Sequence, residues 1–162
     1  MVALVLARLD YCNGVLAGLP ASQLSRLQSV LHAAARLIYG VRRYDHVTPL
    51  LQQLHWLSVP ERVTFKLCVM VYRCLHGIGP EYFSEDFRLV SEIYSRQRLR
   101  SVSSTDVVVP ATRRSSLGDR AFPVAGARAW NALPASVTSA PSLSSFRRLL
   151  LKTFLFQRQR RQ

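Results

Sequence analysis

The sequence is poor in acidic residues and has almost no lysine. Only nine of its 162 residues are Asp or Glu, against 22 basic residues, and all but two of the basic residues are Arg. The formal net charge is therefore +13. Such a balance disfavours an acidic secreted enzyme and indicates an anionic partner.

The motifs of common catalytic and metal sites are also missing. The carboxylates are scattered, so the sequence has no Asp-Asp pair of the kind that holds two magnesium ions in polymerases. It contains no P-loop, no G-x-S-x-G elbow and no H-E-x-x-H motif. His46 and His55 flank a predicted helix, but neither is paired in sequence with a nucleophile. We expect no enzymatic activity from this chain on its own, and no cofactor.

Cysteine is scarce and its spacing does not fit a metal site. Cys12, Cys68 and Cys74 form no C-x-x-C motif or spaced Cys/His set, so we expect no zinc. An odd number of cysteines predicts reduced thiols inside the cell, and we expect a nuclear location. The apolar N-terminal run ends at Arg8, too early for a signal peptide or a membrane span, and we expect no membrane association.

The positive charge is concentrated in the second half of the chain. Residues 1–90 contain nine basic and six acidic residues, a net of +3, whereas residues 91–162 contain thirteen and three, a net of +10. The planar fork of Arg suits phosphate, although arginine can also simply solubilise an apolar chain or reflect GC-rich coding. We predict nucleic-acid contacts at ten arginines: Arg26, Arg36, Arg42, Arg43, Arg96, Arg98, Arg100, Arg113, Arg114 and Arg120. Of these, Arg26 and Arg36 should share one exposed helix face.

The apolar pattern predicts a mainly α fold that begins with a helical bundle over residues 1–78. The first helix should run from Leu4 to Ala17. The second should run from about Ala21 to Tyr39, because leucines recur on one face and Gly40 can cap its end.

Two further helices complete the predicted bundle. The third should start at Thr48 as its cap and end near Trp56. Ser58 and Glu61 fit a capping box that opens the fourth helix, which is apolar on most sides and should be central. Trp56 and Trp130 are expected to be core anchors.

The rest of the chain reads as less regular. Residues 79–120 should form a basic, serine-rich linker with one short strand at 107–109. Residues 121–156 should form a C-terminal helical extension, irregular at first because Pro123 and Gly126 interrupt a helix. Its last helix should start near Ser142, and residues 157–162 should be a disordered basic tail. The side chains predicted to face inward are those of Leu143, Phe146, Leu150 and Phe154.

Short motifs along nearly the whole chain, about residues 3–156, occur in the order found in one protein family. They include Ala7-Arg8-Leu9-Asp10-Tyr11-Cys12-Asn13, Ala17-Gly18-Leu19-Pro20, Ala33-Ala34-Ala35-Arg36-Leu37-Ile38, Asp45-His46-Val47-Thr48-Pro49, Leu54-His55-Trp56-Leu57, Leu99-Arg100-Ser101, Gly118-Asp119-Arg120-Ala121-Phe122 and Trp130-Asn131-Ala132-Leu133-Pro134. Taken with residues 146–156, the series resembles the C-terminal region of jockey-like non-LTR retrotransposon polyproteins. One departure is Ser58, where the family pattern has Pro.

The resemblance implies a part of a reverse transcriptase polyprotein that follows the polymerase palm. The first helices would be a thumb-like bundle, and the later part would be an extension that helps to hold RNA. The implied partners are RNA or an RNA–DNA hybrid, contacted at phosphates, and the upstream polymerase domain. Because the catalytic aspartates belong to that upstream domain, none is assigned here. The alternatives are a helical protein-interaction module and a non-functional translated remnant of a mobile element.

Overall fold

The computed structural model describes residues 2–93 and 105–160, and this part of the chain is mainly α-helical, as predicted. The α-helices are α1 Val2–Asp10, α2 Ala21–Tyr39, α3 Thr48–Gln53, α4 Val59–Leu75, α5 Glu81–Ser84, α6 Ser115–Gly118, α7 Phe122–Asn131, α8 Ala135–Thr138, α9 Leu143–Ser145 and α10 Lys152–Arg160. Short 3-10 turns follow α1, at Asn13–Leu16, and α5, at Val90–Glu92. A π-helical segment, Phe146–Leu151, joins α9 to α10. Within the two described ranges, no helix is long and apolar enough to cross a membrane.

Helix α4 lies at the centre of the fold, as its all-round apolar pattern predicts. It packs against α7, the first 3-10 turn, α2 and α10. Cys68 and Val71 are completely buried, and Tyr72 is nearly so. Burying a side chain of this size contributes roughly 1.5–3 kcal/mol, so α4 organises the core on both of its sides.

The N-terminal side of α4 is covered by α1, α2 and α3. Leu31 and Ala35 of α2 are fully buried and pack with Leu51 of α3 and with Trp56. The bounds predicted for α2 are confirmed, and Gly40 ends the helix with a φ of 62°, the left-handed conformation that glycine adopts without strain. The predicted first helix is shorter than expected, because α1 ends at Asp10 and the chain tightens into the first 3-10 turn.

The C-terminal side of α4 is an aromatic cluster. The rings of Tyr72 and Phe146 stack with centroids 4.5 Å apart, and Trp130 lies 5.7 Å from Phe146. The polar ends of the rings are satisfied, because Tyr72 donates its hydroxyl hydrogen to the Ala140 carbonyl and Trp130 donates Nε1–H to the Thr105 carbonyl. The role of Trp130 as a core anchor is confirmed, as is that of Trp56.

The predicted strand at 107–109 is reduced to one bridge. Val107 pairs only with Leu89, in an isolated antiparallel bridge. The side chain of Asn131 occupies the backbone groups that a longer strand would use, since it accepts from Val107 N at 2.9 Å and donates to Val107 O at 2.8 Å.

The prediction that Pro123 and Gly126 interrupt a helix is wrong. Pro123 stands in the first turn of α7, where a missing N–H costs nothing. Gly126 is buried where α7 crosses α4, and a Cβ there would lie 3.0 Å from Val71 Cγ2 and 3.2 Å from Phe87 Cζ. The glycine therefore allows close helix packing rather than breaking the helix.

The last helix starts as predicted but changes register. The Ser142 hydroxyl accepts a hydrogen bond from Ser145 N and caps the helix. The π-helical segment then adds one residue to a turn, so Leu151 and Leu155 follow Phe146 into the core, and Phe154 is only partly buried. The sequence prediction missed Leu151 and Leu155 for this reason, whereas Leu143 and Phe154 pack partly buried against the core. The side chain of Leu150 lies outside the described part of the structure.

Three predicted boundaries also differ. Thr48 was predicted to cap α3, but it is the first residue of the helix, and Val47 occupies the cap position without a side-chain hydrogen bond. Helix α3 ends at Gln53 rather than near Trp56. Ser58 is at the start of α4, but its side chain makes no capping bond. The tail predicted to be disordered from residue 157 continues α10 through Arg160.

Remote glutamines replace the predicted capping box of α4. Ser58 N donates to Gln159 Oε1 at 3.1 Å, and Val59 N donates to Gln28 Oε1 at 2.8 Å. The first N–H groups of a helix need outside acceptors, and here they come from α10 and α2. Glu61, the other half of the predicted box, is therefore free to pair elsewhere.

Candidate nucleic-acid interface

The arginines predicted to bind nucleic acid fall in different surroundings. Arg96, Arg98 and Arg100 lie outside the described residues. Arg26 on α2 is exposed, and the exposed Arg42 and Arg43 follow the end of the same helix. The exposed pair Arg113 and Arg114 precedes α6.

Arg36 is less accessible than predicted. Its side chain is half-buried, Nη2 donates to the Asp45 carbonyl at 3.3 Å, and Nε is buried without a hydrogen-bond partner. Asp45 in turn accepts from Arg42 N at 2.7 Å. Since Arg26 and Arg36 are ten residues apart, they differ by roughly 80° around the helix. They therefore lie on one side of α2, but the prediction that both are exposed there is wrong, because Arg36 is half-buried.

Arg120 lies against the first 3-10 turn. Its Nε donates to the Ala17 carbonyl at 3.3 Å, and its side chain is half-buried. A Cβ on Gly18, which has a φ of 70°, would lie 2.7 Å from Arg120 Cγ. The side chain thus joins the turn before α7 to the N-terminal part of the chain.

A concave surface lies between α4 and residues 143–152, and α1 and residues 54–57 also line it. It consists of two adjoining cavities of about 530 and 680 Å³ that share Phe65, Leu143, Arg147 and Lys152 in their linings. We call it the basic groove. Its basic lining residues are Arg62, Lys66, Arg73, Arg147, Arg148 and Lys152.

Most of the positive charge of the basic groove is free. Lys66, Arg147 and Arg148 are exposed and form no ion pair within residues 2–93 and 105–160. Lys152 places Nζ 5.8 Å from the Phe156 ring centroid, a cation–π contact that leaves its charge uncompensated. A concave surface lined by charges of one sign concentrates the electrostatic field there.

One carboxylate, Asp10, lines the groove among the described residues, and it is already occupied. Arg62 donates to both Asp10 oxygens, from Nε at 2.8 Å and from Nη2 at 2.6 Å. This two-bond fork is the stronger form of the Arg–carboxylate pair. The pair therefore cancels its own charge and leaves the field of the groove to the other five basic residues.

The groove also borders two buried polar atoms that lack partners. Asn13 is 3% exposed; its Nδ2 donates to Asp10 and its Oδ1 has no hydrogen-bond partner. Arg73 donates from Nη2 to the Ile78 carbonyl, but its buried Nε is also unpaired. Buried polar groups without partners are rare, and both belong to residues that line the groove.

Two local features of the sequence build the walls. On α4, Lys66 follows Arg62 by four residues and Arg73 follows Lys66 by seven, which puts all three on one face of the helix. Arg147 and Arg148 lie in the π-helical segment, a departure from α-helical geometry that is frequent at functional sites. The side chains of both arginines are exposed.

The far end of the groove wall is fixed by a buried ion pair. Glu61 is 2% exposed, and Arg158 donates to both of its oxygens, at 3.2 and 2.7 Å. Together with the Gln159 bond to Ser58 N, this pair holds α10 against the start of α4. The two walls therefore keep a fixed separation.

The cysteines and histidines do not form a second site. Burial raises the pKa of the Cys68 thiol to about 12 and also raises the pKa of Cys74, so both stay protonated. In the described part of the chain, no three His, Cys, Asp or Glu side chains gather as metal ligands would. His46 is exposed, and His55 meets the edge of the Phe156 ring.

Comparison with known proteins adds no assignment. No protein-family model, curated protein or solved structure matches this chain. The function is therefore inferred from the residues and their geometry.

Proposed function

We propose that this chain is a non-catalytic, nucleic-acid-binding part of a retrotransposon reverse transcriptase, and that it binds RNA or an RNA–DNA hybrid through phosphate contacts. The observation that carries the binding proposal is the basic groove. It brings Lys66, Arg147, Arg148 and Lys152 to two adjoining cavities, while its one described carboxylate is paired with Arg62.

The chemistry of the groove suits a phosphate backbone. Arg and Lys neutralise phosphates without reading sequence, so binding should be non-specific and strongly weakened by salt. The ordered motif series described above supports the assignment to a reverse transcriptase. The same resemblance puts the polymerising aspartates in an upstream domain, which is why the proposed role is to hold nucleic acid.

The binding proposal is tested by titrating labelled RNA with the purified chain at several salt concentrations. If four phosphates are neutralised on single-stranded RNA, log K should fall with log salt at a slope of about −2.8. Failure to bind RNA at low salt would overturn the proposal. The polyprotein assignment is tested separately, since the genomic sequence upstream should encode an in-frame polymerase palm.

One observation favours a second function, protein interaction. On α2, Val30 is 51% exposed and Leu37 is 65% exposed, and Tyr44 beyond the helix is 91% exposed. Apolar side chains grouped on one surface can mark a contact site. Light scattering distinguishes this function, because a monomer at all concentrations would count against self-association.

A further inference from the structure

Phe65 is the aromatic residue that the two cavities of the basic groove share. Its ring is partly buried against the C-terminal core cluster, and it lines both cavities of the groove. The groove around Phe65 is further walled by the apolar side chains of Met70 and Leu143. The floor of a strongly basic groove is therefore an aromatic and aliphatic surface, which simple phosphate contacts do not require.

Free cations bracket this floor. Lys66 follows Phe65 on α4, and Arg147 and Lys152 line the same two cavities from the opposite wall. Proteins that bind unpaired strands combine a positive groove with aromatic rings on which bases stack. In a double helix the bases already stack on each other, and only the phosphates would be available to this surface.

We propose that the basic groove binds an unpaired nucleic-acid strand, with bases packed against Phe65 and phosphates on Lys66, Arg147, Arg148 and Lys152. This inference depends on the proposed function and specifies the form of nucleic acid that it binds. Charge complementarity selects a polyanion, and the aromatic floor selects one that carries exposed bases.

The size and polarity of the groove agree with this occupant. The two cavities have volumes in the range of ordinary ligand pockets, which suits a few nucleotides of a single strand but not a duplex. The six basic side chains that line the groove match the charge of a phosphate backbone.

The experiment compares single-stranded and duplex RNA of the same sequence, about 12 nucleotides long, by fluorescence anisotropy. The intact chain should prefer the single strand. Phe65→Leu should weaken single-strand binding at least about fivefold, change duplex binding little, and leave the salt slope unaltered. Phe65→Tyr keeps the ring and should restore the single-strand affinity.

A matched charge variant separates stacking from phosphate contact. Lys66→Gln should make the salt slope shallower by about 0.7 on the single strand and should weaken binding to both forms of RNA. Circular dichroism and thermal melts of each variant verify that the fold is retained. If Phe65→Leu fails to fold, the ratio of single-strand to duplex affinity of the intact chain still decides the proposal.

The possible failures are distinguishable. No RNA binding at low salt overturns both this inference and the proposed function. RNA binding with equal affinity for both forms, or an equal effect of Phe65→Leu on both, overturns the inference alone. Competition by polyglutamate as effective as competition by RNA would also overturn it, because an acidic peptide would then be the better occupant.

Discussion

Two basic surfaces of the molecule carry similar charge in different geometry. The α2 surface, formed by Arg26, Arg42 and Arg43, presents exposed arginines along and beyond one helix. The basic groove presents its free cations from two walls around a cavity with an apolar floor. Charges on opposite walls act on the same ligand, whereas charges spread over one exposed helix act separately.

The two surfaces also differ in how they are assembled. The α2 surface comes from one stretch of sequence and needs only the local helix. The groove joins α4 to residues about eighty positions later, and the pair Glu61–Arg158 fixes that junction. Any change that loosens the junction should therefore affect the groove before it affects the α2 surface.

The largest effect is expected from Arg158→Met. This change leaves the Glu61 carboxylate buried and unpaired, so the free energy of unfolding should fall by about 3 kcal/mol. Urea denaturation measures the loss. Arg128→Met is the matched control, because it removes the exposed pair with Asp119 and should leave the denaturation midpoint unchanged. Equal effects of the two changes would contradict a structural role for the buried pair.

A smaller loss is expected from Gly126→Ala, where α7 crosses α4. The added methyl meets Val71 and Phe87 at close range, and overpacking of this kind should cost about 2 kcal/mol. Gly40→Ala, at the end of α2, meets nothing within 4 Å and should cost about 1 kcal/mol through its left-handed backbone alone. Thermal melts of both variants test this order, and a reversal would refute the packing argument.

The smallest effect concerns pH on the α2 side. Burial, and secondarily Arg36, lowers the pKa of His32 from its ordinary value of 6.5. As the pH falls, His32 is therefore protonated at a higher pH in the unfolded chain than in the folded chain. The contribution of neutral His32 to stability is complete above about pH 6.5 and is lost as the pH falls below that value. Urea midpoints at about pH 8 and pH 5 should differ less in His32→Gln than in the intact chain. If the two midpoints differ as much in His32→Gln as in the intact chain, His32 is not a cause of the loss of stability at low pH.

The sequence predicts helices that depend on local signals and misses features that depend on remote contacts. The bounds of α2 follow from its apolar stripe and Gly40, and the end of α4 follows from its apolar run. The sequence predicts that Gly126 breaks a helix, because the close packing of α7 on α4 that requires this glycine cannot be seen from neighbouring residues. The capping box fails because Gln159, a hundred residues away, supplies an acceptor.

The candidate site is only partly visible in the sequence for the same reason. Lys66 sits on a helix whose apolar pattern dominates, and Arg147 and Arg148 read only as outward-facing charges. Nothing local indicates that these walls face each other, or that the π-helical segment shifts the register after Phe146. The signal that could have been followed is the row of basic residues along α4, at Arg62, Lys66 and Arg73.

The most direct test of the account compares the salt dependence of RNA binding for two neutralised variants. One replaces Lys66, Arg147, Arg148 and Lys152 by Gln, and the other replaces Arg26, Arg42 and Arg43 by Gln. We predict that the groove variant has a salt slope on single-stranded RNA shallower by about 2.8, and that the α2 variant changes the slope by less than about 0.7. The assignment of binding to the groove would be contradicted if the groove variant kept the salt slope of the intact chain. It would also be contradicted if the α2 variant lost most of that salt slope.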